Sequence, residues 1–264
     1  MNINVLAENS TASQPFECEH GLSLYVKTDA DTFLFDFGQT DLFQRNAHRA
    51  GLSLADVDFA VLSHGHYDHG GGLETFFSAN DHAPVFLSRH AFGHYFNASG
   101  KYIGLDPQTQ RIDRMVATDE CHTIRKGISL FSCNLLTRKV PAATCGLTMA
   151  DASQQVPDLF LHEQYLCLTE GGKRYLFSGC SHKGILNIIH WFEPDVFIGG
   201  FHLMHANPET AQGRTLLYET AQALLKYPTE YYTGHCTGAA AYDYLRVCMK
   251  DKLHQISAGM CLTL

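Results

Sequence analysis

The residues best suited to chemistry in this sequence lie in one short stretch, residues 63–69, which reads SHGHYDH. An apolar run, VDFAVLS, leads into it. Alternate side chains of an extended segment point to the same side, so His64 and His66 can share one metal ion. Asp68 and His69 come after the chain has begun to turn, so they point to a neighbouring position. The spacing predicts one or two bound ions, with zinc favoured and iron or manganese as alternatives.

Further candidate ligands follow three later apolar runs. YLFSGCSHKG presents Cys180 and His182, VFIGGFHL presents His202, and YYTGHCTG presents His235. One histidine after a strand is usually a hydrogen-bonded structural residue, but three such endings beside the first cluster favour a shared site. An exposed histidine-rich loop is the alternative, and it does not explain the spacing behind a buried strand. The candidate metal ligands from these patterns are His64, His66, Asp68, His69, Cys180, His182, His202 and His235.

Short strands and helices must position these residues. Ten apolar or β-branched runs bounded by Gly, Pro, Asn or Asp are typical of strands. They are INVLA, LSLYV, TFLFDF, DFAVLS, APVFLS, GISLFS, LFLHEQYLCLTE, RYLFSG, DVFIGG and EYYTG. Helices are predicted at residues 41–50, 70–79, 184–192, 208–226 and 238–249. Asn207 is the expected N-cap of the fourth helix, with Pro208 at its first position.

Strands followed by strand–helix alternation occur twice, in residues 1 to about 90 and about 120 to 264. This order predicts two sheets packed face to face with helices outside, a four-layer αββα sandwich of mixed α/β class, in a single domain spanning 1–264. Residues 91–118 have mixed polarity and no clear period, so we predict an insertion or lid near the site.

Composition limits the function further. The 264 residues carry a formal net charge of -8 with no Lys/Arg run, which argues against nucleic acid or an anionic membrane as partner. No signal peptide and no transmembrane run is evident, so a cytoplasmic location with reduced thiols is expected. We expect a small-molecule substrate, which can be anionic if metal ions supply positive charge. Sheet edges and the insertion would also suit a homodimer.

The motif LSHGHYDHGGG resembles the HxHxDH signature of the metallo-β-lactamase fold hydrolases. Other segments resemble the branch related to the archaeal dihydropterin-6-yl-methyl-(ribofuranosyl)aminobenzene phosphate synthase. They are EHGLSLYV, FLFDFGQT, RNAHRAGL, KYIGLD, FSGCSHKGILNI, IGGFHL and GHCTG. The resemblance covers about residues 3–264, and it implies the αββα sandwich.

The resemblance implies that His64 and His66 bind a first metal ion, whereas Asp68, His69 and His235 bind a second. Cys180 stands where many relatives have a bridging aspartate, which is a departure, because a thiolate is a good zinc ligand but a poorer bridge between hard metals.

The third histidine that usually completes the first site has no clear match. His122 and His162 lie in the expected interval, but neither follows a strand in a small-residue turn. We therefore assign that place to His182. A single tightly bound zinc ion remains an alternative to two ions.

Other roles follow from the same resemblance. Asp36 is expected to orient the ligand imidazoles from behind, or else to cap its own turn. Asp68 and His202 are the predicted catalytic residues, the first shuttling a proton and the second stabilising an oxyanion or acting as an acid. The predicted substrate contacts are Asn9, His20, Lys101 and Tyr102.

The default activity is hydrolysis of an ester, lactone, thioester or phosphoester by water that a metal activates. The branch suggests an alternative, a synthase that joins a dihydropterin methyl diphosphate to a ribosylaminobenzene phosphate. A Cys180–His182 hydrolase and a non-catalytic metal or redox sensor are further alternatives. The metal-dependent hydrolase and the synthase use the same ligands, so the ligands do not distinguish these two activities. The Cys180–His182 hydrolase does not explain the motif HGHYDH.

Overall fold

The computed structural model describes residues 1–111, 113–151 and 154–264; residue 112 of the predicted insertion lies outside these ranges. Strands in the described residues are, in chain order, β1 (Asn2–Ala7), β2 (Ser23–Lys27), β3 (Thr32–Phe35), β4 (Phe59–Val61), β5 (Val85–Ser88), β6 (Tyr95–Phe96), β7 (Met115–Thr118), β8 (Cys121–Arg125), β9 (Ile128–Phe131), β10 (Thr148–Asp151), β11 (Gln154–Pro157), β12 (Tyr165–Glu170), β13 (Lys173–Phe177), β14 (Val196–Ile198), β15 (Glu230–Thr233), β16 (Leu253–Gln255) and β17 (Cys261–Thr263). The α-helices are α1 (Leu42–Arg49), α2 (Tyr67–Gly70), α3 (Leu73–Ala79), α4 (Ile185–Phe192), α5 (Ala211–Leu224) and α6 (Ala239–Met249). Short 3₁₀ turns lie at Leu54–Asp56, Pro107–Arg111, His235–Thr237 and Lys250–Lys252.

Two large sheets repeat one plan. The first has the order β17-β1-β2-β3-β4-β5-β7 and the second β16-β15-β14-β13-β12-β9-β8. In the first, strands from β17 to β3 pair antiparallel and strands from β3 to β7 pair parallel. In the second, β8, β9, β12 and β13 pair antiparallel, and β13 to β16 pair parallel. Parallel strands present their carboxyl ends at one edge of a sheet, where sites form.

Three apolar cores separate four layers. Alternation along a strand sends side chains to opposite faces, so Phe33 and Phe35 of β3 enter the core between the sheets and Leu34 faces the helices. Sheet one packs on α1 and α3 through a core that includes Phe43 and Phe76. Sheet two packs likewise on α4, α5 and α6. The predicted αββα sandwich is confirmed.

Each of the ten predicted runs contains a strand, and each predicted helix overlaps a helix. The predicted start of the fourth helix is wrong: α5 begins at Ala211, because the Thr210 hydroxyl accepts a hydrogen bond from the Gly213 amide at 3.0 Å. Asn207 instead accepts from the Glu209 amide in the preceding turn. The described helices include none with the length and apolar content needed to cross a bilayer.

The segment 91–118 divides between two environments. Strand β6 joins a small sheet with β10 and β11, and β7 extends the first large sheet beside β5. Between them, the Ile103 carbonyl accepts from the Tyr67 amide at 2.9 Å, and Gly104 forms a β-bridge with His66. The middle of this segment therefore lies directly against the histidine-rich motif.

Candidate metal centre

The side chains predicted to act together follow the carboxyl ends of parallel strands from both sheets. Asp36 follows β3 and His64 follows β4 in the first sheet. Cys180, His202 and His235 follow β13, β14 and β15 in the second. Because the sheets pack face to face, these ends meet at one edge of the sandwich.

The backbone at these strand ends is strained. Asp36, Ser181, His202 and His235 have φ values of 61°, 60°, 53° and 48°, in the left-handed region that non-glycine residues rarely adopt. Each such residue costs about 1–3 kcal/mol and persists where the surroundings hold it. A glycine is needed nearby for a different reason: a Cβ on Gly179 would lie 2.1 Å from Ser63 Oγ.

His64, His66 and His182 form the first group, with one possible ligand atom from each lying within 4.8 Å of the others. The Nε2 atoms of His64 and His182 are 3.3 Å apart. All three imidazoles are buried, and burial lowers the pKa of each, to about 3 for His66, so all are neutral at physiological pH. His66 Nε2 and His182 Nδ1 are buried without a hydrogen-bond partner. Converging neutral imidazoles with orphaned nitrogens fit a metal ion.

Asp36 orients the imidazoles of His64 and His69 through hydrogen bonds, directly to His69 and through Ser63 to His64. Its Oδ2 accepts from the Ser63 hydroxyl at 2.7 Å and from His69 Nδ1 at 2.7 Å. Since the Ser63 hydrogen goes to Asp36, Ser63 Oγ accepts from His64 Nδ1 at 2.9 Å. Both histidines therefore direct the lone pair of Nε2 toward the cavity, as metal-binding histidines do.

Asp68, His69 and His235 form the second group. His69 Nε2 is 3.1 Å from His235 Nε2 and 3.7 Å from Asp68 Oδ2, and His235 Nε2 is 3.3 Å from that oxygen. Burial raises the pKa of Asp68, but the adjacent His69, His20 and His235 outweigh it and hold the value well below the usual range. Burial lowers the pKa of His69, but Asp36 and Asp68 outweigh it, so the net shift is upward. The charge distribution favours a cation at this position.

Cys180 lies between the two groups. Its Sγ is 3.2 Å from His69 Nε2, and it shares one possible ligand set with His64 and His69 and another with His235 and Cys236. Burial, followed by the hydrogen bond with Cys236, raises the pKa of the Cys180 thiol well above its usual range. A thiol in this place can contact an ion in either group.

Residues 17–124, which contain the histidine-rich motif and most of the first sheet, match the family model of the metallo-beta-lactamase superfamily. Over this part, the chain is similar to the metallo-beta-lactamase superfamily. A crystal structure of Tm1679, a metal-dependent hydrolase of the beta-lactamase superfamily, superimposes with a TM-score of 0.81 at 27% identity, over 100% of this chain and 99% of that one.

Two curated relatives of this chain come from Methanocaldococcus jannaschii. The uncharacterized protein MJ0448 is 28% identical over 92% of this chain and 93% of its own length. The 7,8-dihydropterin-6-methyl-4-(beta-D-ribofuranosyl)-aminobenzene-5'-phosphate synthase is 26% identical over 98% of this chain and 95% of its own length. The expected relation to the synthase is confirmed.

His162 is hydrogen-bonded rather than free to bind metal. His66, Asp158 and His162 also lie within ligand distance of one another. However, His162 Nδ1 accepts from the Gly65 amide at 2.9 Å, so its Nε2 carries the proton and donates to Asp158 Oδ2 at 3.2 Å. The ring of Tyr95 packs over it at 3.9 Å between centroids. His162 holds the backbone between His64 and His66.

Glu163 is a buried residue that the sequence reasoning missed. Its Oε1 accepts from the His182 amide at 2.6 Å. Its Oε2 accepts from the Lys183 amide at 3.0 Å and the Tyr165 hydroxyl at 2.5 Å. Glu163 thus holds the turn that presents His182. A charged residue inside the predicted strand run LFLHEQYLCLTE was the available signal, because a buried charge needs several partners.

Two predicted substrate contacts lie beside the second group. His20 is at the mouth, with Nε2 3.3 Å from Asp68 Oδ2, and it lines the cavity. Asn9 lies behind His235: its Oδ1 accepts from His235 Nδ1 at 2.8 Å, so it orients that imidazole, and its contact with substrate stays a prediction.

Lys101 and Tyr102 are not among the residues that line the cavity, and their contacts with substrate stay predictions. The Tyr102 hydroxyl donates to the Leu105 carbonyl at 2.8 Å, a hydrogen bond within its own loop. Lys101 is exposed, and its Nζ lies 5.2 Å from the Tyr67 ring centroid, outside the cavity. Asn97 and Ile103 are the residues of this segment that reach the cavity.

The cavity over both groups has a volume of about 200 Å³, and Asp68, Cys180, His182, His202 and His235 are among the residues that line it. His202 is partly buried, 4.3 Å from His182 between ring centroids. Burial, with the neighbouring His205 and His235, lowers the pKa of His202 to about 4. His202 is therefore a neutral hydrogen-bond donor at physiological pH, which favours the predicted oxyanion role over the acid role.

Replacing Asp36 by asparagine is expected to weaken metal binding or activity by about 10- to 100-fold, as loss of a ligand-orienting group does. An amide cannot accept from both Ser63 and His69 on one oxygen while retaining the charge that orients His69. Metal titration followed by competition with a chelator measures the effect. Asp31→Asn, at a buried aspartate that pairs with Arg125 remote from the cavity, is the control. Equal metal affinity of Asp36→Asn and the wild type would contradict the assignment.

Proposed function

We propose that this chain is a metal-dependent hydrolase that cleaves a small-molecule ester, lactone or phosphoester at a centre of two metal ions. The supporting observation is the convergence of oriented imidazoles with one carboxylate on a single cavity. We assign His64, His66 and His182 to the first ion. Asp68, His69 and His235 are assigned to the second, with Cys180 between them.

The donor set suits zinc, with iron or manganese as alternatives. Imidazole nitrogen and thiolate sulfur are common zinc ligands, and Asp68 adds an oxygen for a harder ion. Bound metal ions would supply a Lewis acid that polarises the oxygen of the scissile bond and makes water more acidic.

The protein's own residues then carry the remaining steps. The carboxylate of Asp68 lies at the cavity surface with 12% of its side chain exposed, where it can orient a water molecule and take its proton. The neutral imidazole of His202 can donate a hydrogen bond to the oxygen on which negative charge develops. No nucleophilic side chain is required.

The synthase is the second candidate, and the relative of that name, aligned over 98% of this chain, favours it. That reaction needs partners for several phosphates. No lysine or arginine is among the residues that line the cavity over the ligands in the described part of the chain. This feature supports the hydrolase. Pyrophosphate release from a dihydropterin methyl diphosphate in the presence of the ribosylaminobenzene phosphate would support the synthase instead.

Metal analysis of protein purified without chelator is expected to give one to two Zn, Fe or Mn per chain. Removal of the metal is expected to abolish hydrolysis, because the ions would make the water acidic enough for Asp68 to take its proton. His64→Ala should lower metal content, whereas His48→Ala, at an exposed histidine of α1, should not. Elemental analysis and hydrolysis of a panel of esters and phosphoesters measure both.

Two outcomes would contradict this proposal. Full hydrolysis by metal-free protein that iodoacetamide then stops would favour a thiol hydrolase based on Cys180. Stoichiometric metal without turnover on either the ester panel or the synthase substrates would favour a metal or redox sensor.

A further inference from the structure

A second cavity adjoins the metal centre. It has a volume of about 300 Å³ and lies between α4, α5 and the segment around residues 140–145. His182, His202 and His205 line both cavities, so the two share a wall. A substrate whose scissile bond reaches His182 therefore has an adjacent space for the rest of the molecule.

The surface of this second cavity is mostly aliphatic. Ile185 and Leu186 come from α4, Leu203 and Ala206 from the loop after β14, and Leu216 from α5. Leu216 keeps 47% of its surface exposed, although it lies on a helix that packs its other face into the core. Val140, on the opposite side of the cavity, is 42% exposed. Apolar side chains left exposed around a concave space are a common sign of a ligand site.

We propose that this cavity binds an uncharged apolar group of the substrate, such as a medium-length acyl or alkyl chain or an aryl ring. The inference rests on the proposed hydrolase function, since the scissile ester or phosphoester is placed over the metal centre. In the described residues that line this cavity, the only ionisable side chains besides Cys145 are the shared histidines. Among the described lining residues there is no lysine, arginine, aspartate or glutamate, so a charged group would find no partner of fixed opposite charge here.

A chain-length series tests the proposal. The probes are p-nitrophenyl carboxylates from acetate to octanoate, and the matching alkyl p-nitrophenyl phosphates, with metal-loaded enzyme. Each methylene that enters the cavity is expected to raise kcat/KM by up to about fourfold. At least a tenfold rise from acetate to hexanoate is expected, followed by a plateau when the cavity is full.

Leu216→Glu places a carboxylate at the cavity and should remove the chain-length preference. Tyr218→Glu is the matched control, because Tyr218 lies on the same helix with 53% exposure and does not line the cavity. A second readout uses metal-free protein and the fluorescence of 1-anilinonaphthalene-8-sulfonate. The dye should bind the wild type and Tyr218→Glu but not Leu216→Glu.

The outcomes separate the two proposals. Hydrolysis with equal kcat/KM at every chain length would overturn the apolar site and leave the hydrolase standing. No hydrolysis of any probe would count against the hydrolase, and dye binding would then decide the apolar site alone. Dye binding that Leu216→Glu leaves unchanged would overturn it.

Discussion

Replacing Asp68 by asparagine is expected to lower kcat for hydrolysis by about 10²- to 10⁴-fold, the usual contribution of a positioned acid or base. Asp68 lies within 3.3 Å of both His20 and His235 and faces the cavity. The amide keeps the size of the side chain but cannot take a proton from water. It is also a weaker metal ligand, so occupancy of the second site should fall. Steady-state kinetics with elemental analysis of the same sample measure both effects.

The control for Asp68→Asn is Asp56→Asn, at an exposed residue of the 3₁₀ turn Leu54–Asp56. This control should have the kcat and the metal content of the wild type. Metal content and kcat can change separately. If the variant keeps the metal content of the wild type and loses turnover, Asp68 acts mainly on the proton. Unchanged kcat with full metal content would exclude Asp68 from both roles.

Replacing Glu163 by alanine is expected to lower the free energy of unfolding by about 3–5 kcal/mol, the range for breaking a buried charged network. The change leaves the amides of His182 and Lys183 without their acceptor in a buried turn. Lys183 is itself buried, and its Nζ donates to the carbonyls of Ser132 and Glu163. Burial lowers the pKa of Lys183 to about 8. Urea unfolding of metal-free protein measures the loss without any contribution from bound metal.

Glu163→Gln is a useful comparison with Glu163→Ala, because glutamine keeps one acceptor oxygen and the volume of the side chain. The free energy of unfolding should fall less in Glu163→Gln than in Glu163→Ala. Glu74→Ala, at an exposed position of α3, should lie within about 0.5 kcal/mol of the wild type. Equal stability of Glu163→Ala and Glu74→Ala would show that Glu163 does not hold the turn at His182.

The four-layer architecture could be predicted from the chain because its signals are local. Runs such as TFLFDF and RYLFSG end in small or polar residues, and each forms a strand of a parallel pair. The strands that were not predicted are short or lie near sheet edges. One of them, β8, alternates exposed and half-buried residues and contributes little to the core. Such strands are set by pairing with a neighbour, not by their own apolar pattern.

The sequence by itself determined that imidazoles would cluster, since HGHYDH and three later strand endings of the same kind are local patterns. Only the tertiary structure decided which of them meet. His182 lies beside His64, although 118 positions of chain separate them. By contrast, both ring nitrogens of His162 are hydrogen-bonded, one to the Gly65 amide and the other to the Asp158 carboxylate. Likewise Asn9 turned out to orient His235, and Tyr102 to bond within its own loop. The physical reason is that a polar atom is available to a ligand only when no nearer partner satisfies it, and those partners come from distant strands brought together by packing.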